Sequence, residues 1–236
     1  MRAKYIVDTK ILTLRQKLAY IAWSLIAAQV LTKESNRDLC QIDVLYAGFE
    51  ILNRGGKATP NSLPIKYMTD EELQASQLHS HPEAPSLVDV NGKTVDTQNF
   101  SSKHGDGFAA YGIDPSGKLY IHEHISGSNN KNKFFEFYHS SFFSAKPGYC
   151  FGMIKIAAGK ITYIDNRSGH YKPNREHLVN AVDLLKPYFA ENARVYCQSS
   201  DVPYTNSDVD TNLGLLFFEE EDDSDSVDRF LAMTKR

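Results

Sequence analysis

Between Gly107 and Asp165 the chain is cut into strand-length apolar runs by turn signals. Phe108 to Ile113 reads as a strand, and Lys118 to His124 as its return strand. Between them, Asp114-Pro115-Ser116-Gly117 places Pro and Gly where a tight turn needs them. Phe134 to Ser144, Tyr149 to Ala157 and Lys160 to Asp165 read as three further strands, the last two joined at Ala158-Gly159. The order predicts an antiparallel β-meander. Pro173-Asn174 then opens a helix, with Asn174 as its N-cap and Leu178, Ala181, Val182 and Leu185 as its buried stripe. Pro187 ends or kinks it, and Ala193 to Gln198 reads as a last strand.

Upstream, Leu14 to Lys33 carries apolar residues at helical spacing behind a Thr13-x-x-Gln16 capping box. Ile42 to Leu52 reads as a strand. The expected fold class is therefore α+β: a β-meander sheet packed against an N-terminal helix and against a helix following a Ser-Gly-His-Tyr motif. One domain is expected over residues 1–212, with its core at 107–186. Residues 57–106 form an irregular Pro-rich insertion, holding a short helix at Asp70 to Gln77 and a hairpin around Val90 to Thr94. Residues 213–236 are expected to be a flexible acidic tail with Glu219 to Asp223 as its charged block.

The formal net charge of −3 leaves no basic footprint for nucleic acid. No apolar run reaches the length of about 18 residues that a membrane span needs, and the basic N-terminus has no apolar segment behind it to act as a Sec signal. Three widely spaced cysteines, Cys40, Cys150 and Cys197, read as reduced thiols of a cytosolic compartment, with a catalytic thiol as a lesser alternative.

Two short segments concentrate chemistry. Tyr138-His139-Ser140-Ser141-Phe142 and Ser168-Gly169-His170-Tyr171-Lys172-Pro173 each combine imidazole, hydroxyl and aromatic groups. Buried hydroxyls and imidazoles need partners, so such density points to a shared site. Alternation along a strand puts His139 and Ser141 on one face and Ser140 and Phe142 on the other. In a meander, the strand holding His139 runs parallel to the one ending at Asp165, and the two segments converge at one end of the sheet. His139, Ser141, His170 and Tyr171 are the candidate catalytic residues, with Ser140, Ser168 and Gly169 as ligand-binding positions; Gly169 is read as permitting a sharp turn. Asp165 and Glu136 are the nearest carboxylates, too far along the chain to make a Ser-His-Asp triad evident. The motifs name no cofactor. A buried hydrogen-bond network, ligand binding without chemistry, and catalysis are all open readings of these residues.

The ordered set Tyr111-Gly112-Ile113-Asp114-Pro115-Ser116-Gly117-Lys118-Leu119-Tyr120, His139-Ser140-Ser141-Phe142, Gly152, Gly159-Lys160-Ile161 and Ser168 to Pro173 resembles the C-terminal region of the plant IQ-motif calmodulin-binding family and related bacterial proteins. The resemblance covers residues 107–186 and implies a shared domain. No Ile-Gln-x-x-x-Arg-Gly pattern is present, so calmodulin binding is not implied. The glutamate-rich block, followed by Phe230 and Leu231, is similar to the tails of bacterial effectors exported by type IV secretion. The resemblances together imply an effector held in the bacterial cytoplasm before export and then released to the host cytosol, where it binds or modifies a host protein or a small-molecule ligand. A partner-binding scaffold without chemistry is the alternative.

Two further enzyme readings arise from motifs. His79-Ser80-His81-Pro82 with Ser86-Leu87-Val88-Asp89 resembles the zinc signature of JAMM isopeptidases, with His79, His81 and Asp89 as ligands and Glu50 as base, although His81 and Asp89 lie closer together than in that family. His139-Ser140-Ser141 with Tyr171 is distantly similar to the NAD-holding residues of ADP-ribosyltransferases, whose glutamate has no evident counterpart here. His122 and His124 are expected on one exposed strand face.

Overall fold

A computed structural model describes residues 39–40, 65–102, 104–126, 134–198 and 225–232. The expected helix at Leu14 to Lys33 and strand at Ile42 to Leu52 lie outside the described residues. In chain order the elements are α1 (Asp70–Ser76), β1 (His79–Ser80), β2 (Leu87–Val88), β3 (Ser101–Ser102), β4 (Gly105–Asp106), β5 (Ala109–Ile113), β6 (Leu119–Glu123), a 3-10 turn (His139–Ser141), β7 (Cys150–Ala157), β8 (Lys160–Asp165), α2 (Arg175–Leu185), β9 (Phe189–Tyr196), β10 (Asp225–Ser226) and α3 (Val227–Ala232).

The fold is α+β, with a mostly antiparallel sheet ordered β10-β9-β8-β7-β5-β6. The β5–β6 hairpin forms because Asp114 accepts hydrogen bonds at Oδ1 from the Ser116 amide (2.8 Å) and the Lys118 amide (3.0 Å), which ties the turn to its own backbone. Its Oδ2 accepts from Tyr120 Oη at 3.0 Å. Burial works to raise the Asp114 carboxyl, but the bonds from Ser116, Lys118 and Tyr120 outweigh it and hold the group below its ordinary value. Burial and the neighbouring carboxylate push Tyr120 up to about 12.

Strand order departs from the expected meander at one place. Phe134 to Ser144 is not a strand. Its residues make only isolated bridges, Glu136 to Ile65 and Phe137 to Ile125, before tightening into the 3-10 turn. Two causes are visible. β7 pairs with β5 on the side away from β6, so this segment has to carry the chain across the sheet from one side of β5 to the other. Ser141 bonds the backbone of its own segment instead, its Oγ accepting from the Tyr138 amide at 3.0 Å. The segment crosses one face of the sheet and lays Phe137 and Phe142 on Phe108, Ala110, Tyr120 and Met153. Positive φ at Ser144 (53°) and Ala145 (64°) then turns the chain back towards β7.

The opposite face carries α2. Leu178, Ala181, Val182 and Leu185 bury against Ala109, Tyr111, Ile154, Ile161 and Ile164, as the helical spacing predicted. Asn174 caps this helix by accepting from the His177 amide, and His177 Nδ1 accepts from the Asn174 amide in return. The helix gives way to a 3-10 turn at Lys186–Tyr188, around Pro187, and β9 begins at Phe189, earlier than expected. The α2 crossover makes β8 and β9 parallel.

The Pro-rich stretch before Gly107 belongs to the core more than its composition implied. Leu87 and Val88 are buried, and Thr97 Oγ1 accepts from the Ile156 amide at 3.0 Å. At the other end of the chain, β10 pairs antiparallel with β9, and Phe230 of α3 is 1% exposed in the same core as α2. This last segment therefore docks on the sheet; residues 213–224 lie outside the described ones.

Candidate functional site

The two histidine-bearing segments meet through rings. Tyr138 lies 5.5 Å from His170 and 5.5 Å from His124, and His124 lies 5.5 Å from His139, measured between ring centroids. His104 adds an edge contact to His124 at 6.3 Å. His124 and His139 are buried, whereas Tyr138, His104 and His170 are partly open to solvent. The expected exposed face for His122 and His124 is thus corrected. The segment carrying Phe137 to Ser141 covers both, and His122 stacks on Phe137 at 3.9 Å.

The candidate catalytic groups are engaged with backbone. His139 Nε2 lies 2.8 Å from the Gly152 carbonyl, which only accepts, so that nitrogen carries the proton. Ser141 Oγ holds the Tyr138 amide and the Ser141 carbonyl holds the Met68 amide. His139 and Ser141 share a 3-10 turn, so strand alternation does not relate them. Tyr171 is buried, stacks on Phe151 at 3.7 Å and donates its hydroxyl to the Lys146 carbonyl at 2.9 Å. His170, next to it, faces the ring row.

The ligand-binding candidates divide similarly. Ser168 is buried and supports its own turn, its carbonyl accepting from the Lys172 amide at 2.8 Å. Ser140 is fully buried, and its Oγ has no hydrogen-bond partner among the described residues. Gly169 does not need to be glycine: its φ is not in the left-handed region and a Cβ there meets nothing within 4 Å. The left-handed residue of this turn is Lys172, at φ 45°.

Beside the ring row lies a charged cluster that motif reading left out. Asp165 is completely buried at the end of β8. Its Oδ1 accepts from the Met153 and Arg167 amides, both at 2.8 Å, and its Oδ2 accepts from Tyr163 Oη at 3.1 Å and from Arg167 Nε. Arg167 also donates to Tyr163 Oη at 3.0 Å, and its side chain is 12% exposed. Its guanidinium lies over Tyr196 at 5.4 Å and over Phe108 and Tyr163 at 5.8 Å each. Burial acts to lower the Arg167 guanidinium, but the Asp165 charge outweighs it and keeps the cation above its ordinary value. Burial, then the Asp165 charge, drives the Tyr163 phenol upward. Tyr111, from β5, donates to the Asp165 carbonyl at 2.8 Å and joins the cluster to the central strand. A carboxylate with four donors and a cation among three rings is a rigid mount, and the His139 to Gly152 bond ties the ring row to it.

Of the metal candidates, His79 is exposed, and His81 Nδ1 accepts from the Glu83 amide at 3.1 Å. Asp89 Oδ1 accepts from the Asn91 and Lys93 amides, both at 2.9 Å, closing the turn around Val90 to Thr94. Glu50 lies outside the described residues. Among the described residues no group of three or more His, Cys, Asp or Glu is arranged to hold a metal ion, and no described helix is long and apolar enough to cross a membrane.

Residues 87–178 match the middle domain of IQ motif-containing proteins. This IQ-motif-related domain spans both histidine segments, the charged cluster and the first turn of α2. It starts ahead of the Gly107 boundary expected from sequence and takes in β2 to β4. The match is to the family's middle domain rather than its C-terminal region. No curated protein and no solved structure matches the chain.

His122 gives the IQ-motif-related domain an acid-sensitive contact. Burial depresses its imidazole below the ordinary value of about 6.5, against the raising effect of its Nδ1 bond to the Glu123 carbonyl at 2.7 Å. The folded form therefore binds this proton less readily than the unfolded chain. Its contribution is intact above the unfolded value and is withdrawn as pH falls through the depressed folded one. Denaturant titrations from about pH 7 down to about pH 5 are expected to show a shallower loss of stability in His122→Gln than in the wild type; equal slopes reject the assignment.

Proposed function

We propose that the IQ-motif-related domain is a protein-recognition module, and that the partly open end of its ring row, Tyr138 with His170, forms part of the recognition surface. One observation carries this reading. The polar atoms of His139, Ser141 and Tyr171 end on backbone groups of Gly152, Tyr138 and Lys146, an arrangement that suits shaping a surface better than moving protons. The rings left partly open to solvent pair an apolar body with a polar tip, a type of group common at interfaces. The test uses the full chain as bait in eukaryotic cell extract, wild type beside a Tyr138→Ala/His170→Ala variant with unchanged circular dichroism. A protein retained by the wild type, lost with the variant and re-bound after purification supports recognition. Identical retention by both forms refutes this surface.

We further propose that the chain is a bacterial effector that passes from the bacterial cytoplasm to a host cytosol, with the Glu219 to Asp223 block contributing to export. Phe230 and Leu231 are buried in the sheet's core, so cutting the tail away removes structure as well as charge. The cleaner test neutralises the five acidic residues in the full chain and follows a translocation reporter. Unchanged delivery refutes a signal in this block.

A further inference from the structure

The turn that follows β2 carries the only Asn-Gly pair in the sequence, Asn91-Gly92. Both residues are exposed, although Leu87 and Val88 just before them are buried and Val88 bridges Thr94 on the return. The turn hangs on Asp89. Its Oδ1 accepts from the Asn91 and Lys93 amides, its carbonyl accepts from the Gly92 amide at 3.0 Å, and its own amide donates to the Lys93 carbonyl at 2.9 Å. Gly92 holds a left-handed φ of 76°, and a Cβ built there meets nothing within 4 Å, so the tip is open on that side.

We infer that Asn91 is a site of spontaneous deamidation, and that the isoaspartate it yields opens this turn. The Gly92 amide nitrogen gives its proton to solvent base and attacks the side-chain carbonyl carbon of Asn91. A bond forms between the two atoms, the bond to the side-chain nitrogen breaks, and that nitrogen leaves as ammonia. Glycine favours the closure because it has no side chain to obstruct it. Water then opens the resulting succinimide. Breaking the new bond gives aspartate on the original main chain. Breaking the original peptide bond gives isoaspartate, whose main chain runs through the former side chain. An amide and a water become an acid and an ammonia, and nothing is oxidised or reduced. The Gly92 nitrogen must first leave the Asp89 carbonyl, which costs one backbone hydrogen bond at an exposed tip, a small local opening. Isoaspartate adds a main-chain carbon between residues 91 and 92. Asp89 bonds amides on both sides of that point, so the set loses its register. The Asp106-Gly107 pair, which could close the same ring, is more firmly held: the Gly107 amide donates to the Phe100 carbonyl at 2.8 Å, and the Lys155 stem lies 3.9 Å from the place of a Cβ.

The test keeps the native full chain in mildly alkaline buffer at physiological temperature, follows released ammonia, and maps aspartate and isoaspartate by peptide, the latter through enzymatic methylation of its carboxyl. Asn91 is expected to convert ahead of every other asparagine, with isoaspartate among its products. In Asn91→Gln, whose longer side chain closes the ring poorly, the early ammonia is lost. Trypsin is expected to cut after Lys93 several-fold faster in the isoaspartate form than in Asn91→Asp, which carries the new charge on an unchanged main chain. Earlier conversion of another asparagine, conversion at Asn91 only after denaturant has unfolded the chain, or equal cutting of the isoaspartate form and Asn91→Asp overturns the inference.

Discussion

Gly152→Ala is expected to lower stability by roughly 3 kcal/mol or more. A Cβ at this position would sit 2.0 Å from the Asp165 carbonyl oxygen, 2.8 Å from its carbon and 2.9 Å from Oδ1. Two of those three atoms are backbone, so no side-chain rotation relieves the clash. β7 and β8 cannot simply move apart, because Ile154, two residues from Gly152, pairs with Ile164, next to Asp165, and both are fully buried. Displacing Asp165 also disturbs the Met153 amide bond and the Tyr111 bond, while displacing Gly152 disturbs the His139 bond. Gly169→Ala is the matched control, since its Cβ meets nothing and its φ is ordinary; it is expected to stay within about 0.5 kcal/mol of the wild type. Guanidinium unfolding of both variants decides the matter. A Gly152→Ala protein as stable as the control would show that the close approach of β7 to Asp165 is wrong.

Asp165→Ala is expected to lower stability by about 3–5 kcal/mol, because it leaves Arg167 as a buried cation without its counter-charge. The loss also strands the Met153 amide and the Tyr163 hydroxyl. The discriminating variant is Asp165→Ala/Arg167→Met, which removes the stranded cation and keeps apolar volume beneath Phe108, Tyr163 and Tyr196. If the unpaired charge is the main cost, the double variant unfolds at higher denaturant than Asp165→Ala alone. A double variant less stable than the single would assign the loss to packing and hydrogen bonds instead.

Both predictions concern the mount beneath the ring row. Gly152 contacts Asp165 and also presents the carbonyl that His139 holds, so a shift there moves the ring row without altering any exposed residue.

Local chemistry wrote much of the framework into the chain. The Asp114 turn, the Asn174 cap and the α2 stripe each depend on residues within a few positions of one another, so they were legible from spacing alone. The two histidine segments were legible as a concentration of polar groups, and the structure does bring them together around Tyr138. Their roles were not. The segment at 134–144 has strand-like composition, but β7 pairs with β5 on the side away from β6, so the segment between them crosses the sheet instead of extending it. With that pairing gone, the alternation argument for His139 and Ser141 had no basis. Likewise, Asp165, Arg167 and Tyr163 are ordinary at the end of a strand until burial removes water from them; then their mutual bonds become obligatory. Patterns of near neighbours report local geometry. Which strands lie side by side, and which polar groups lose their water, depends on contacts across the whole sheet.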